Sequence, residues 1–205
     1  LLTSLLERGF ISECEKGEKS LSPWQKMECD NRYFPAMNWM ITGRCNYNCL
    51  HCFNAADNSP LMAEFSLEEA ERLLDDAMSC GINAFTITGG EPTLQPDLRS
   101  FILRIRELGY KIKLDTNGSR PEALASLIQK GLIDYIAMDI KNCKEKYPLT
   151  VGIENFDLSK IEESIAFLIS SGIDFEFRTT ITAELHTVED IEKIAEWISG
   201  APKYF

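Results

Sequence analysis

No stretch of the sequence is apolar for the ~20 residues that a membrane helix requires, and the start lacks a charged region followed by an apolar run and a cleavage site. The first absence excludes a helical membrane span, and together they lead to the expectation of a cytoplasmic protein. Positive charge is also scarce: 21 Lys and Arg stand against 32 Asp and Glu, a formal net charge of −11. A polyphosphate would meet net repulsion, so nucleic acid is not the expected partner. A disulfide framework is missing too, because the 7 cysteines are odd in number and unevenly spaced. What remains is an ordinary globular balance, 44% hydrophobic and 26% charged over 205 residues, enough for one domain with a real core.

From residue 38 onward, short β-rich runs alternate with amphipathic segments. The expected strands are Asn38 to Thr42, Ala84 to Thr88, Lys111 to Asp115, Asp134 to Met138 and Asp174 to Thr179, with Lys203 to Phe205 opening a sixth. Between the first two, Leu67, Ala70, Leu73, Leu74, Ala77 and Met78 recur at the spacing of one helix face, and Ser66 with Glu69 predicts a capping box. Ser159 with Glu162 predicts another, before a helix closed by Gly172. Gly109 and Gly131 close helices begun near Pro96 and Pro121. Strand-helix repeats with near-continuous apolar strands predict an α/β fold with a parallel sheet under helices, either doubly wound or a partial barrel. Both place chemistry in the loops after the strands' carboxyl ends. Residues 1–37, with Leu1, Leu2, Leu5 and Leu6 and then no clear period, read as an N-terminal appendage to a core of residues 38–205.

Three of the cysteines crowd into one such loop. Cys45, Cys49 and Cys52 form C-x3-C-x2-C after the first strand, while Cys14, Cys29, Cys80 and Cys143 are scattered and read as small hydrophobes or exposed thiols. Three thiolates can hold one corner of an iron-sulfur cubane and leave one iron open. A zinc site is the simpler alternative, but it needs a fourth ligand, and His51 is adjacent to Cys52. A closed electron-transfer cluster lacks an evident fourth cysteine. After the second strand comes Gly89-Gly90-Glu91-Pro92, where paired glycines let backbone approach a ligand and the Glu91 carboxylate can accept from an amine.

The two motifs, in this order on successive strand ends, resemble those of the radical S-adenosylmethionine superfamily over residues 38–205. The resemblance implies a partial (β/α)6 TIM-like barrel, truncated here at the sixth strand. It also implies a [4Fe-4S] cluster on Cys45, Cys49 and Cys52, with S-adenosyl-L-methionine on the open iron and its amino group held by Gly89, Gly90, Glu91 and Pro92. One-electron cleavage of the sulfonium would then yield a 5′-deoxyadenosyl radical that takes hydrogen from a substrate.

Lys111 to Lys141, with Leu-Asp-Thr-Asn-Gly and later Asp-Ile-Lys, is similar to the activases of glycyl radical enzymes. That likeness assigns Asp115 to the ribose, Asn117 to the same motif, Asp139 and Lys141 to positions beside S-adenosylmethionine, and Arg178 to its carboxylate. It implies a glycyl radical enzyme as partner and flavodoxin or ferredoxin as reductant. Residues 33–92 look more like radical enzymes that modify peptides, which makes a peptide substrate the alternative. Departures from the activase pattern are Asn31 to Pro35 in place of an Asp-Gly-Pro-Gly segment, His51 in place of an aromatic residue, and Thr182 and Ala183 in place of a proline. Residue types alone also permit an Asp139–Lys141 ion pair, a rim network around Arg178, a non-enzymatic metal or electron-transfer module, and a solvent-facing His186.

Overall fold

The computed structural model describes residues 36–52 and 65–205. The appendage up to residue 35, with Cys14 and Cys29, lies outside the described residues. The strands β1 (Ala36–Thr42), β2 (Ala84–Gly89), β3 (Lys111–Thr116), β4 (Tyr135–Asp139) and β5 (Asp174–Arg178) form one sheet. Between them run α1 (Leu67–Ser79), a 3-10 turn (Pro92–Leu94), α2 (Leu98–Glu107), α3 (Pro121–Gln129), α4 (Tyr147–Val151) and α5 (Ser159–Ser171), and α6 (Val188–Trp197) follows β5.

All four strand pairings are parallel, in the order β1-β2-β3-β4-β5. A doubly wound sheet reverses its strand order at a switch point; this one advances by one neighbour each time, so it is a partial barrel. The sixth run joins it as expected. Phe177 N donates to Lys203 O, Phe205 N to Phe177 O and Thr179 N to Phe205 O, around a parallel Phe177–Tyr204 bridge.

The strands are not apolar throughout, as the sequence had suggested. One face carries Trp39, Phe85, Ile87, Ile112, Leu114, Ile136, Phe175 and Phe177, buried in a core that also holds Leu74, Ile102, Ile105, Leu124, Ile161, Leu168 and Ile194 of the helices. The alternate positions carry polar and charged groups, because they face the lumen of an open barrel rather than a second helix layer. There Lys113 pairs with Glu176 at 2.8 Å, and the Tyr135 hydroxyl donates to the same carboxylate at 2.9 Å.

The Ser66–Glu69 capping box of α1 is present. The Ser159–Glu162 box is not: Ser159 is the first residue of α5, and its N–H and hydroxyl both donate to Asp157. The acceptor two residues earlier satisfies the end that Ser159 was expected to cap. A box not foreseen, Thr187 with Asp190, opens α6.

One glycine illustrates how tightly the rim is built. Gly118, just past β3, has φ +75°, and a Cβ there would lie 2.0 Å from Met138 Cε. Met138 can swing aside, but a left-handed backbone still penalises any L side chain. Gly118→Ala should therefore lower stability by about 1–2 kcal/mol. The expected readout is a lower denaturant midpoint at unchanged m value.

Candidate active site at the carboxyl rim

The cysteine loop leaves β1 at Thr42 and is fastened from several sides. Gly90 N donates to Thr42 O and Glu91 N to Arg44 O, both at 2.8 Å. The paired glycines are what permit this: a Cβ on Gly89 would meet Thr42 O at 2.3 Å, and one on Gly90 would meet Arg44 O at 2.1 Å. Their small size thus serves contact with the cysteine loop itself. Further along, Asn48 N donates to Val151 O at 2.9 Å, and the buried Tyr47 ring packs edge-on against Phe156, which stacks on Tyr147.

Glu91 is placed differently from the sequence expectation. Its side chain is fully buried and does not line the cavity. Oε1 accepts from Thr93 N, Thr93 Oγ1 and Thr116 Oγ1, and Oε2 accepts from Asn117 N at 2.6 Å. Burial pushes its carboxyl up and these donors pull it back. Pro92, buried at the start of the 3-10 turn, also lies off the cavity. The carboxylate therefore ties the Gly-Gly-Glu-Pro turn to the end of β3, and an amine would have to meet Gly89 and Gly90, which do line the cavity.

That cavity, about 640 Å³, also brings together Cys45, Cys49, Cys52, Asp115, Asn117, Asp139, Lys141 and Arg178. The three cysteines are thiols rather than disulfide sulfurs, and burial raises Cys45 and brings Cys49 to about 11. Asn117 is oriented without ambiguity: its Oδ1 accepts from Ser119 N, so Nδ2 faces Asn46 Oδ1 at 3.0 Å and Cys45 Sγ at 3.8 Å. Asp139 and Arg178 end β4 and β5 as register partners. Lys141 Nζ meets Asp139 Oδ2 at 2.9 Å, while Arg178 holds Asp139 Oδ1 through Nε and Nη2 and reaches Asp115 Oδ2 through Nη1. Desolvation alone would raise Asp139, but the Lys141 and Arg178 cations outweigh it and keep the carboxyl below its usual range. The ion pair and rim network are both real, and they sit inside the cavity rather than in place of it.

The other cysteines stand apart. Cys80 is exposed, and Cys143 is buried and donates to Asp190 Oδ1. His186, expected in solvent, is instead 7% exposed and bonded through both ring nitrogens. An irregular segment gave no periodic signal that could have revealed this.

The residues fit an open-iron cluster with a nucleoside-bearing ligand. Asp115 lines the cavity, and its buried Oδ1 has no hydrogen-bond partner within the protein. Among the described residues, no three His, Cys, Asp or Glu side chains gather around a single-ion site.

A profile of the Radical SAM superfamily matches residues 39–198, and the chain belongs to that superfamily. Its enzymes use a [4Fe-4S] cluster and S-adenosylmethionine. Among relatives, a Methanocaldococcus jannaschii protein named as a candidate glycyl-radical enzyme activating enzyme is 34% identical over 170 residues, 78% of this chain and 67% of that protein. The AdoMet-dependent heme synthase of Nitratidesulfovibrio vulgaris is 30% identical over 170 residues, 79% of this chain but 45% of the synthase. Streptococcus suis SuiB bound to precursor peptide SuiA shares the fold, with a TM-score of 0.65 at 16% identity over 96% of this chain and 47% of SuiB. The chain thus spans under half of the synthase and of SuiB. No helix among the described residues is long and apolar enough to cross a membrane.

The buried role of Glu91 has a direct test. Glu91→Gln replaces an acceptor of several donors with a group that presents an N–H to some of them, so stability of the metal-free protein should fall by more than about 2 kcal/mol. A substitution that touched only a ligand's amine would leave that unfolding curve in place.

Proposed function

We propose that Cys45, Cys49 and Cys52 hold a [4Fe-4S] cluster whose remaining iron takes S-adenosylmethionine, and that the chain activates a glycyl radical enzyme by removing hydrogen from a backbone glycine. The observation that carries the cofactor reading is the convergence on one cavity of three thiols, the unpartnered Asp115 Oδ1 and the paired charges of Asp139, Lys141 and Arg178. The activase branch is supported by the 34% identity to the M. jannaschii protein and by the Leu114 to Gly118 and Asp139 to Lys141 segments. When bound, the cluster and S-adenosylmethionine together supply one-electron cleavage of the sulfonium and hydrogen abstraction.

The protein's own residues do the rest. Asp115, with Oδ2 fixed by Arg178 and Oδ1 left without a protein partner, would hold a ribose hydroxyl. Arg178 and Lys141 present cationic groups suited to the methionyl carboxylate, and the Gly89 and Gly90 backbone borders the position of the amine. Thr88, Thr179 and Phe205 also line the cavity. Flavodoxin or ferredoxin is the proposed electron donor, and a peptide substrate is the alternative to a glycyl radical enzyme.

Replacing Cys45, Cys49 or Cys52 by Ala should abolish the intact cluster in anaerobically reconstituted protein, read by iron content and visible absorption, whereas Cys80→Ala and Cys143→Ala should retain it. Full iron in Cys45→Ala would refute the ligand assignment. Asp115→Ala should weaken S-adenosylmethionine binding roughly ten- to a hundredfold, the loss of a charge-assisted hydrogen bond of about 1.5–3 kcal/mol, as read by calorimetry. With reductant and a cognate glycyl radical enzyme, paramagnetic resonance should show a glycyl radical. A stable mass change on a small precursor peptide, with no such radical, would move the assignment to peptide modification.

A further inference from the structure

We propose that His186 is a positioning residue that fixes Lys141 beside the cysteines by locking the loop after β4 to the loop after β5. This rests on the reading of Cys45, Cys49 and Cys52 as iron ligands. Both ring nitrogens meet main chain, and the partner of Nε2 assigns its proton. Nδ1 faces the main chain of Thr182, 3.2 Å from its N and 3.3 Å from its O. Nε2 lies 2.9 Å from the Lys141 carbonyl, which can only accept, so Nε2 carries the proton.

Its position gives the bond a purpose. The β4–β5 pairing continues as far as Ile140, whose N donates to Arg178 O and whose carbonyl accepts from Thr179 Oγ1. The next carbonyl, that of Lys141, is taken by His186. The imidazole thus extends the cross-strand ladder by one residue at the point where the Lys141 side chain enters the cavity shared with Cys45 and Cys49. The ring also meets His51, neighbour of Cys52, edge-on with centroids 6.2 Å apart. An ammonium held beside ligating thiolates offsets negative charge and favours the reduced cluster, and the effect falls with distance and with solvent screening. Loosening the Lys141 backbone should therefore register in the cluster's potential.

The sequence has only 2 histidines, so nitrogen-15 histidine labelling of metal-free His51→Phe protein isolates His186. A protonated Nε2 is expected; an unprotonated Nε2 would overturn the lock. On reconstituted protein, His186→Ala should move the midpoint potential to more negative values at full iron content. His186→Gln, whose amide can still donate to the Lys141 carbonyl, should restore most of the shift. In a Lys141→Met background, His186→Ala should add nothing, because its effect runs through the ammonium. An unchanged potential in His186→Ala, or a full shift persisting in Lys141→Met, would overturn the proposal while leaving the ligand assignment intact. Wild-type protein that assembled no cluster would remove the ligand assignment and the proposal together. Should His186→Ala fail to fold, the nitrogen-15 measurement and the potential of His186→Gln decide.

Discussion

The rim depends on a carboxylate that never meets solvent. Glu91 gathers donors from its own turn and from the end of β3, while its backbone N–H fastens to Arg44 of the cysteine loop. Three consecutive strand ends are thereby fixed to one residue. A buried carboxylate is costly unless its lone pairs are satisfied, and the same donors that satisfy it set where Asn117 and the loop point. The thiols of a flexible loop could not hold a shared geometry without such a support, since ordering each residue costs conformational entropy.

The second constraint is charge balance in a half-open lumen. Lys113 with Glu176 and the set Asp115, Asp139, Lys141 and Arg178 are paired across strands rather than left as single charges. Removing one member of such a set strands its partner in a poorly solvated place, a larger loss than the pair's own net contribution. The arrangement presents both signs within one cavity, which matches a zwitterionic amino-acid head group better than a ligand of either charge alone.

Much of this was legible in the sequence because it is local. The cysteine spacing, the Gly-Gly-Glu-Pro turn and the helix faces are written within a few residues each, and strand ends followed from the periodicity. What was hidden depends on distant partners. Two of the donors to Glu91 come from Thr116 and Asn117, some 25 residues away. His186 is buried by Lys141 and Thr182, partners that no spacing rule connects. Periodicity alone left a doubly wound sheet and a partial barrel open, because both share the same alternation of elements; the resemblance implied the barrel, and the strand order bears it out. Ser159 was misread as a cap because Asp157, two residues earlier, is the better-placed acceptor.

The central claim is that the cysteine loop leaves one iron of a cluster open to S-adenosylmethionine. Mössbauer spectroscopy of protein reconstituted anaerobically with iron-57 addresses it directly. The account predicts that adding S-adenosylmethionine alters the signal of a single iron and leaves the others as they were. A spectrum in which every iron is tetrahedrally sulfur-ligated and none responds to S-adenosylmethionine would contradict it.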